Sequence, residues 1–259
     1  MAKISTRSHQ WYGWLPDLPD YRDFSYSVIA PKLAKLPIKV DLRSKCSPVE
    51  NQGNLGSCTA NALVGALEFL DIKDGAKFVD LSRLFVYYNE RTIEGTVNQD
   101  SGAFLRDGIK SLAKQGVCPE KEWPYQIKDF TKKPNRKCYT DAKKHQITSY
   151  HRISTVDEMR TCLAEGYPFV FGFTVYDAFE SPAVAKSGVL NMPAPKEKVV
   201  GGHAVMAAGY NDSQKRFIIR NSWDTDWGMK GYFTMPYDYL DPAKDLADDF
   251  WTIRMSEEG

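Results

Sequence analysis

The sequence predicts an α+β protein with a helical N-terminal half and an antiparallel β-sheet or barrel in its C-terminal half. Two observations carry the prediction. Apolar residues recur at helical spacing after position 58 (Leu63, Ala66, Leu67, Leu70) and again at Leu105, Ile109 and Leu112. Beyond position 150 the period changes to strict alternation, with Phe169, Phe171, Phe173 and Val175 marking a half-buried strand. At 259 residues the chain can bury a sizeable core, as one large domain or as two halves sharing a cleft.

Taken in order, the chain opens with a distinct stretch, Trp11-Tyr12-Gly13-Trp14-Leu15-Pro16-Asp17-Leu18-Pro19, dense in aromatics. Prolines at 16, 19, 31 and 37 keep it extended, and so many aromatics predict that it packs on something. A first helix runs from Cys58 to about Asp71, a second lies near Leu81–Asn89, and a third ends at Gly116 in a C-cap role. Thr155-Val156-Asp157-Glu158 reads as a capping box opening one helix in the second half, which stops at Gly166. Further strands follow at 204–210, 217–220, 232–235 and 251–255.

Charge and composition narrow the function classes. A net charge of +1 gives no reason to expect nucleic acid or an anionic membrane as partner. No apolar run reaches the length of a bilayer span. Residues 1–7 lack the apolar core of a secretory signal. The expected location is therefore cytoplasmic, or outside the cell by a signal-independent route or after removal of a signal. The five cysteines (46, 58, 118, 138, 162) lack zinc-site spacing, so neither metal nor cofactor is expected, and reduced thiols are favoured over disulfides.

The chemistry-bearing stretch is Gln52-Gly53-Asn54-Leu55-Gly56-Ser57-Cys58. A cysteine at the start of a helix meets unpaired N–H groups and the positive end of the dipole, which favour its thiolate. A side-chain amide six residues earlier, Gln52, could donate to an oxyanion. The thiol needs a base. Of four histidines, His9, His145 and His151 lie in aromatic or polar surroundings, whereas His203 opens an apolar strand behind Gly201-Gly202. Asn221 follows a strand and leads into Asn221-Ser222-Trp223-Asp224-Thr225-Asp226-Trp227-Gly228.

These three blocks, in this order, resemble the signatures of papain-like cysteine peptidases, and His203 and Asn221 follow Cys58 by 145 and 163 residues, close to that family's spacing. The short N-terminal extension resembles that of bacterial members such as xylellain. The resemblance implies a papain-like fold with the cleft between its halves: residues 1–37 an extension, pro-segment-like and cleft-covering, and 38–259 the peptidase domain, helical over 38–144 and β over 145–259. It implies Cys58 as nucleophile, His203 as base, Asn221 as its orienting group and Gln52 in the oxyanion site. Ser101, Gly102, Val200, Gly201 and Trp223 take substrate-binding positions, Val200 and Gly201 with a preference for an apolar substrate side chain. Two positions depart from the family pattern: Thr59 stands for an aromatic, and Gly202 for Asn or Asp. The expected activity is hydrolysis of a polypeptide by a monomeric, autoinhibited enzyme. The alternatives are a catalytically silent binding or inhibitory protein of the same fold, and a thiol acyltransferase or deamidase.

Overall fold

Helical spacing around positions 63–70 produces α1 (Cys58–Lys73), the helix on which the rest of a computed structural model of the chain is assembled. The structure describes residues 12–32 and 35–255. Every residue of α1 from Cys58 to Asp71 is buried, so the helix has no solvent face and is apolar on nearly all sides. Its one central charge, Glu68, is fully paired: Arg83 contacts both carboxylate oxygens at 2.8 and 2.9 Å, and Ser47 Oγ and the Leu81 N–H donate to them as well. Around α1 lie α2 (Arg83–Glu94), capped by Ser82 Oγ accepting from Phe85 N, and α3 (Leu105–Lys114), after which Gly116 turns with φ +75°. Two short strands, β1 (Trp14–Leu15) and β3 (Ala103–Phe104), pair in parallel beside them. A shorter α4 (Arg136–Ala142) completes this half.

The second half is an antiparallel sheet. β4 (Ser149–Arg152), β5 (Phe169–Tyr176), β6 (Val199–Asn211), β7 (Arg216–Arg220), β8 (Tyr232–Pro236) and β9 (Ala247–Arg254) run in the spatial order β4-β9-β5-β6-β7-β8. The small β2 (Lys39–Asp41) adds to β6 from the other half of the chain. α5 (Val156–Ala164) begins as the capping pattern predicts, with Thr155 Oγ1 accepting from Glu158 N, although Glu158 reaches back to Ser154 N. Two one-turn helices, α6 (Pro182–Ser187) and α7 (Tyr237–Leu240), sit in its loops.

The structure corrects one expectation here. β5 is buried on both faces, not one, because Phe169, Phe171 and Phe173 feed an aromatic cluster with Phe179, Phe217 and Phe250 while Val170 and Gly172 are covered from the other side. The alternation in the sequence records residue size, not exposure. Among the other histidines, His145 pairs with Asp71 at 3.1 Å and His151 lies on the edge strand β4, while His9 and Trp11 fall outside the described residues.

Candidate active site

The loop before α1 is held from three sides, and that fixes where Cys58 sits. Asp100 accepts from Gly56 N at 3.0 Å and from the Tyr87 hydroxyl at 2.5 Å, while the Tyr125 hydroxyl bonds Ser57 Oγ at 2.5 Å and the Gln52 carbonyl at 2.9 Å. Gln52 itself is buried, its Oε1 accepting from Ser222 Oγ at 2.6 Å and its Nε2 donating to Leu55 O at 3.0 Å. The amide plane is therefore locked.

Across the cleft, β6 delivers His203 fully buried. Its Nε2 lies 2.9 Å from Asn221 Oδ1, which also accepts from Ser222 N; because that oxygen can only accept, Nε2 carries the proton and Nδ1 is the basic nitrogen. Trp223 stacks on the imidazole at 5.1 Å between centroids and shields this bond, with Phe173 and Phe179 closing the remaining sides. The residue after His203, Ala204, turns its backbone toward the Cys58 sulfur. Cysteine, histidine, asparagine and glutamine thus converge where α1 meets β6.

Residues 12–14 of the N-terminal segment run against these residues. Tyr12 lies edge-on to His203 at 5.7 Å, contacts Trp223 at 6.1 Å, and donates to Glu180 at 2.9 Å. Gly13 passes between Gly56 and Gly102, so tightly that a β-carbon on it would stand 1.8 Å from the Gly56 carbonyl oxygen, and its own carbonyl accepts from Ala103 N at 2.7 Å. The Trp14 indole lies against Gly172 and Gly202 and donates to Asp249 Oδ2 at 3.0 Å. Farther on, Asp17 accepts from Trp251 and Arg106, and Asp23 pairs with Arg106 at 2.7 Å.

A model of the papain family of cysteine proteases matches residues 36–241, across both sides of this cleft. The chain belongs to that family. An uncharacterized peptidase C1-like protein, L477, of Acanthamoeba polyphaga mimivirus is 45% identical over 214 residues, covering 79% of this chain and 68% of its own. Cysteine proteinase 1 of Entamoeba histolytica is 30% identical over 77% of this chain, which spans 63% of that relative's length. Among solved structures, xylellain, a cysteine protease from Xylella fastidiosa, is 46% identical with a TM-score of 0.86, over 97% of this chain and 98% of its own. The papain-like fold and the cysteine-peptidase class follow for this chain.

Within this papain-family site the residues singled out in the sequence take different places. Gly102 and Gly201 both face the segment, Gly102 against Gly13 and Gly201 against Tyr12. Trp223 covers the histidine. Ser101 turns away, its hydroxyl donating to Thr96 Oγ1 at 2.9 Å, and Val200 is partly buried against the core. Tyr87, Asp100, Tyr125 and Asp249 were not singled out, because each reaches the site by a long-range contact that no local spacing records. Gly202 has a physical reason: a β-carbon there would stand 2.6 Å from the Trp14 carbonyl oxygen.

The electrostatics also differ from expectation. A helix-start thiol was expected to ionise readily, yet burial pushes the Cys58 thiol up to about 11, against the backbone groups of Ala204, Gly13 and Thr59 that favour the thiolate. Fully buried, the sulfur has no water to solvate the charge. Glu90, buried beneath and accepting from Thr59 Oγ1 at 2.9 Å, is held far above the usual carboxylate range by its own desolvation. The five cysteines are free thiols, and among the described residues no group of three or more His, Cys, Asp or Glu is placed to hold a metal ion.

Proposed function

We propose that this chain is a cysteine peptidase of the Cys-His-Asn type, drawn in its self-covered form. The observation that carries the reading is the His203 Nε2 to Asn221 Oδ1 bond under Trp223, beside the α1 N-terminus that bears Cys58. Once the cleft opens, water and the His203 Nδ1 reach the thiol, and the proton passes from sulfur to imidazole. The thiolate attacks the scissile carbonyl while the Cys58 N–H and the Gln52 amide hold the oxyanion. His203 gives its proton to the leaving amine, and a water deprotonated by the same imidazole then hydrolyses the thioester. Asn221 keeps the ring in the one tautomer that serves these steps.

In this reading residues 1–37 form a pro-segment-like extension and 38–259 the peptidase domain, divided near 144 into helical and β parts, with the enzyme a monomer acting on polypeptides. Tyr12, Gly13 and Trp14 then act as an autoinhibitory plug, which makes the chain a zymogen. The test is hydrolysis of a dipeptidyl fluorogenic substrate by the full chain and by a chain with its plug disrupted, each beside Cys58→Ala. Turnover that needs Cys58 and rises when the plug is disturbed supports the reading. Absence of turnover in both, with no labelling of Cys58 by a peptidyl epoxide, favours a silent binding protein, and transfer to added amines in place of hydrolysis favours an acyltransferase.

A further inference from the structure

One turn after Cys58, the buried run Ala60-Asn61-Ala62-Leu63-Val64 of α1 carries an asparagine, a residue that favours caps and turns over helix interiors, and it is 5% exposed. Its amide has two ends with different surroundings. Nδ2 donates to the Ser57 carbonyl at 2.9 Å and to Ser57 Oγ at 3.2 Å, on the loop that presents the thiol. These bonds turn Oδ1 the other way, where no group among the described residues donates to it. Asn221, 3% exposed, has the complementary gap: its Oδ1 accepts from His203 Nε2 and Ser222 N, while its Nδ2 finds no acceptor among the described residues. Both side chains line the same cavity, whose other walls include Ala62, Ala204, Met206 and Arg220, all buried. Arg220 turns its guanidinium to the carbonyls of Ser47 and Pro48. About 10 Å³ is left there for the centre of a water molecule, room for one. An orphaned acceptor and an orphaned donor thus face one water-sized space.

We infer that this cavity binds a single water, which donates to Asn61 Oδ1 and accepts from Asn221 Nδ2, and that Asn61 is thereby a positioning residue for the Cys-His-Asn reaction. The inference rests on the peptidase reading above. An asparagine amide fits its pocket in two orientations that exchange oxygen and nitrogen. With oxygen toward the imidazole, His203 Nε2–H and Ser222 N–H both have an acceptor, and Nδ1 is left as the base. Flipped, the amide would set its own N–H groups against those two donors. A buried N–H without an acceptor is costly, and a tilt of the amide that relieved it would lengthen the bond to His203. The water supplies the acceptor, and Asn61 holds the water in place. Because the other end of the Asn61 amide holds Ser57, one side chain on α1 ties the loop bearing the thiol to the group that orients the base. A leucine of similar size at 61 would fill the space and break both links.

The tests use full-length chains. A high-resolution crystal structure of the Cys58→Ala chain should show an ordered water about 3 Å from both Asn61 Oδ1 and Asn221 Nδ2. In the same chain with isotope-labelled histidine, the His203 Nε2–H resonance should exchange with solvent at least threefold faster once Asn61 is replaced by leucine. Turnover is read in the Gly13→Val chain, where a β-carbon 1.8 Å from the Gly56 carbonyl oxygen keeps residues 12–14 from seating. There Asn61→Leu should lower kcat on a dipeptidyl fluorogenic substrate at least fivefold, with KM changed less than twofold. Asn61→Asp, read at about pH 5 where burial keeps the carboxyl protonated, retains one O–H for the Ser57 carbonyl and one oxygen for the water, and should hold kcat within twofold of its parent. Thermal melting checks that each chain is folded, and the crystal structure, which keeps Asn61, decides the matter even where the leucine chain does not fold. A site without water at the two atoms, an unchanged Nε2–H exchange rate, or the reverse order of variants, with leucine tolerated and aspartate not, overturns the inference while leaving the peptidase intact. Absence of turnover in every chain, together with no labelling of Cys58 by a peptidyl epoxide, overturns the peptidase reading and the positioning role with it.

Discussion

Replacing Gly13 by valine is the sharpest perturbation of the covered state. Its β-carbon would meet the Gly56 carbonyl at 1.8 Å for oxygen and 2.5 Å for carbon, and these are backbone atoms fixed by Asp100 and Tyr87. An ordinary contact needs more than 3 Å, so the segment must retreat by over an ångström, and Gly102 behind it leaves no room for a smaller adjustment. That movement breaks the 2.7 Å bond from Ala103 N to Gly13 O and pulls Trp14 Nε1 and Asp17 N from Asp249. One neutral bond at about 1 kcal/mol and two to a carboxyl at about 1.5 kcal/mol each sum to about 4 kcal/mol. Since 1.4 kcal/mol is tenfold, the ratio of covered to open chains falls by roughly a thousandfold. The assay pairs the initial rate on a fluorogenic dipeptide with the rate of Cys58 alkylation by iodoacetamide, for wild type, Gly13→Val and the Cys58→Ala control. Both rates should rise together until opening no longer limits them. Wild-type rates for the valine chain, with an unchanged melting temperature, would refute the plug.

Three further outcomes follow from the same geometry. Glu68→Gln takes from Arg83 its buried carboxylate partner and leaves it the half-exposed Asp80 at 3.1 Å, which should cost about 3 kcal/mol, seen as a loss of that size in urea-unfolding free energy with an unchanged m-value. Asn221→Ala frees the His203 ring from its tautomer and should lower kcat about 10–100-fold in the Gly13→Val background with little change in KM, read by steady-state kinetics. Burial and the facing Asp17 raise the Asp249 carboxyl to about 7, against the help of Arg152. A carboxyl raised in the covered state is a proton bound on covering, so this contribution is complete below the ordinary carboxylate value and is lost as pH rises toward 7. The ratio of Cys58 alkylation in wild type to that in Gly13→Val at each pH, which cancels the thiol's own ionisation, should therefore climb between about pH 4 and 7, and flatten in Asp249→Asn.

Much of this molecule was legible from its sequence because the relevant signals are local. The α1 stripe, the capping threonine at 155 and the Asn221-Ser222-Trp223 block each carry their meaning within a dozen residues. What was hidden divides by cause. Tyr125 and Asp100 buttress the loop before Cys58 across 68 and 44 residues of chain, a distance that no periodicity spans. β2 and β4 are three- and four-residue strands of mixed polarity, which acquire strand geometry from β6 and β9 and not from their own propensity.

The glycines are the harder case, and they explain why the path taken by residues 12–14 was not legible in the sequence. Gly13, Gly56, Gly102, Gly172 and Gly202 line one path through the cleft, and at all five an added β-carbon would touch or approach another part of that path. In a sequence such glycines read as turns or as freedom for a strand, because a missing side chain leaves no pattern. Here their shared role is proximity: a peptide backbone passes within van der Waals distance of two others, and an indole lies on two residues of a sheet. A site that admits the protein's own backbone so closely must admit a substrate backbone in the same way, so the features that let the plug seat are those that the open enzyme needs. Alanine at Gly102 or Gly202 should therefore weaken the plug and slow peptide turnover together. A variant at either position that gained activity without loss of kcat/KM relative to Gly13→Val would show that plug and substrate take separate paths.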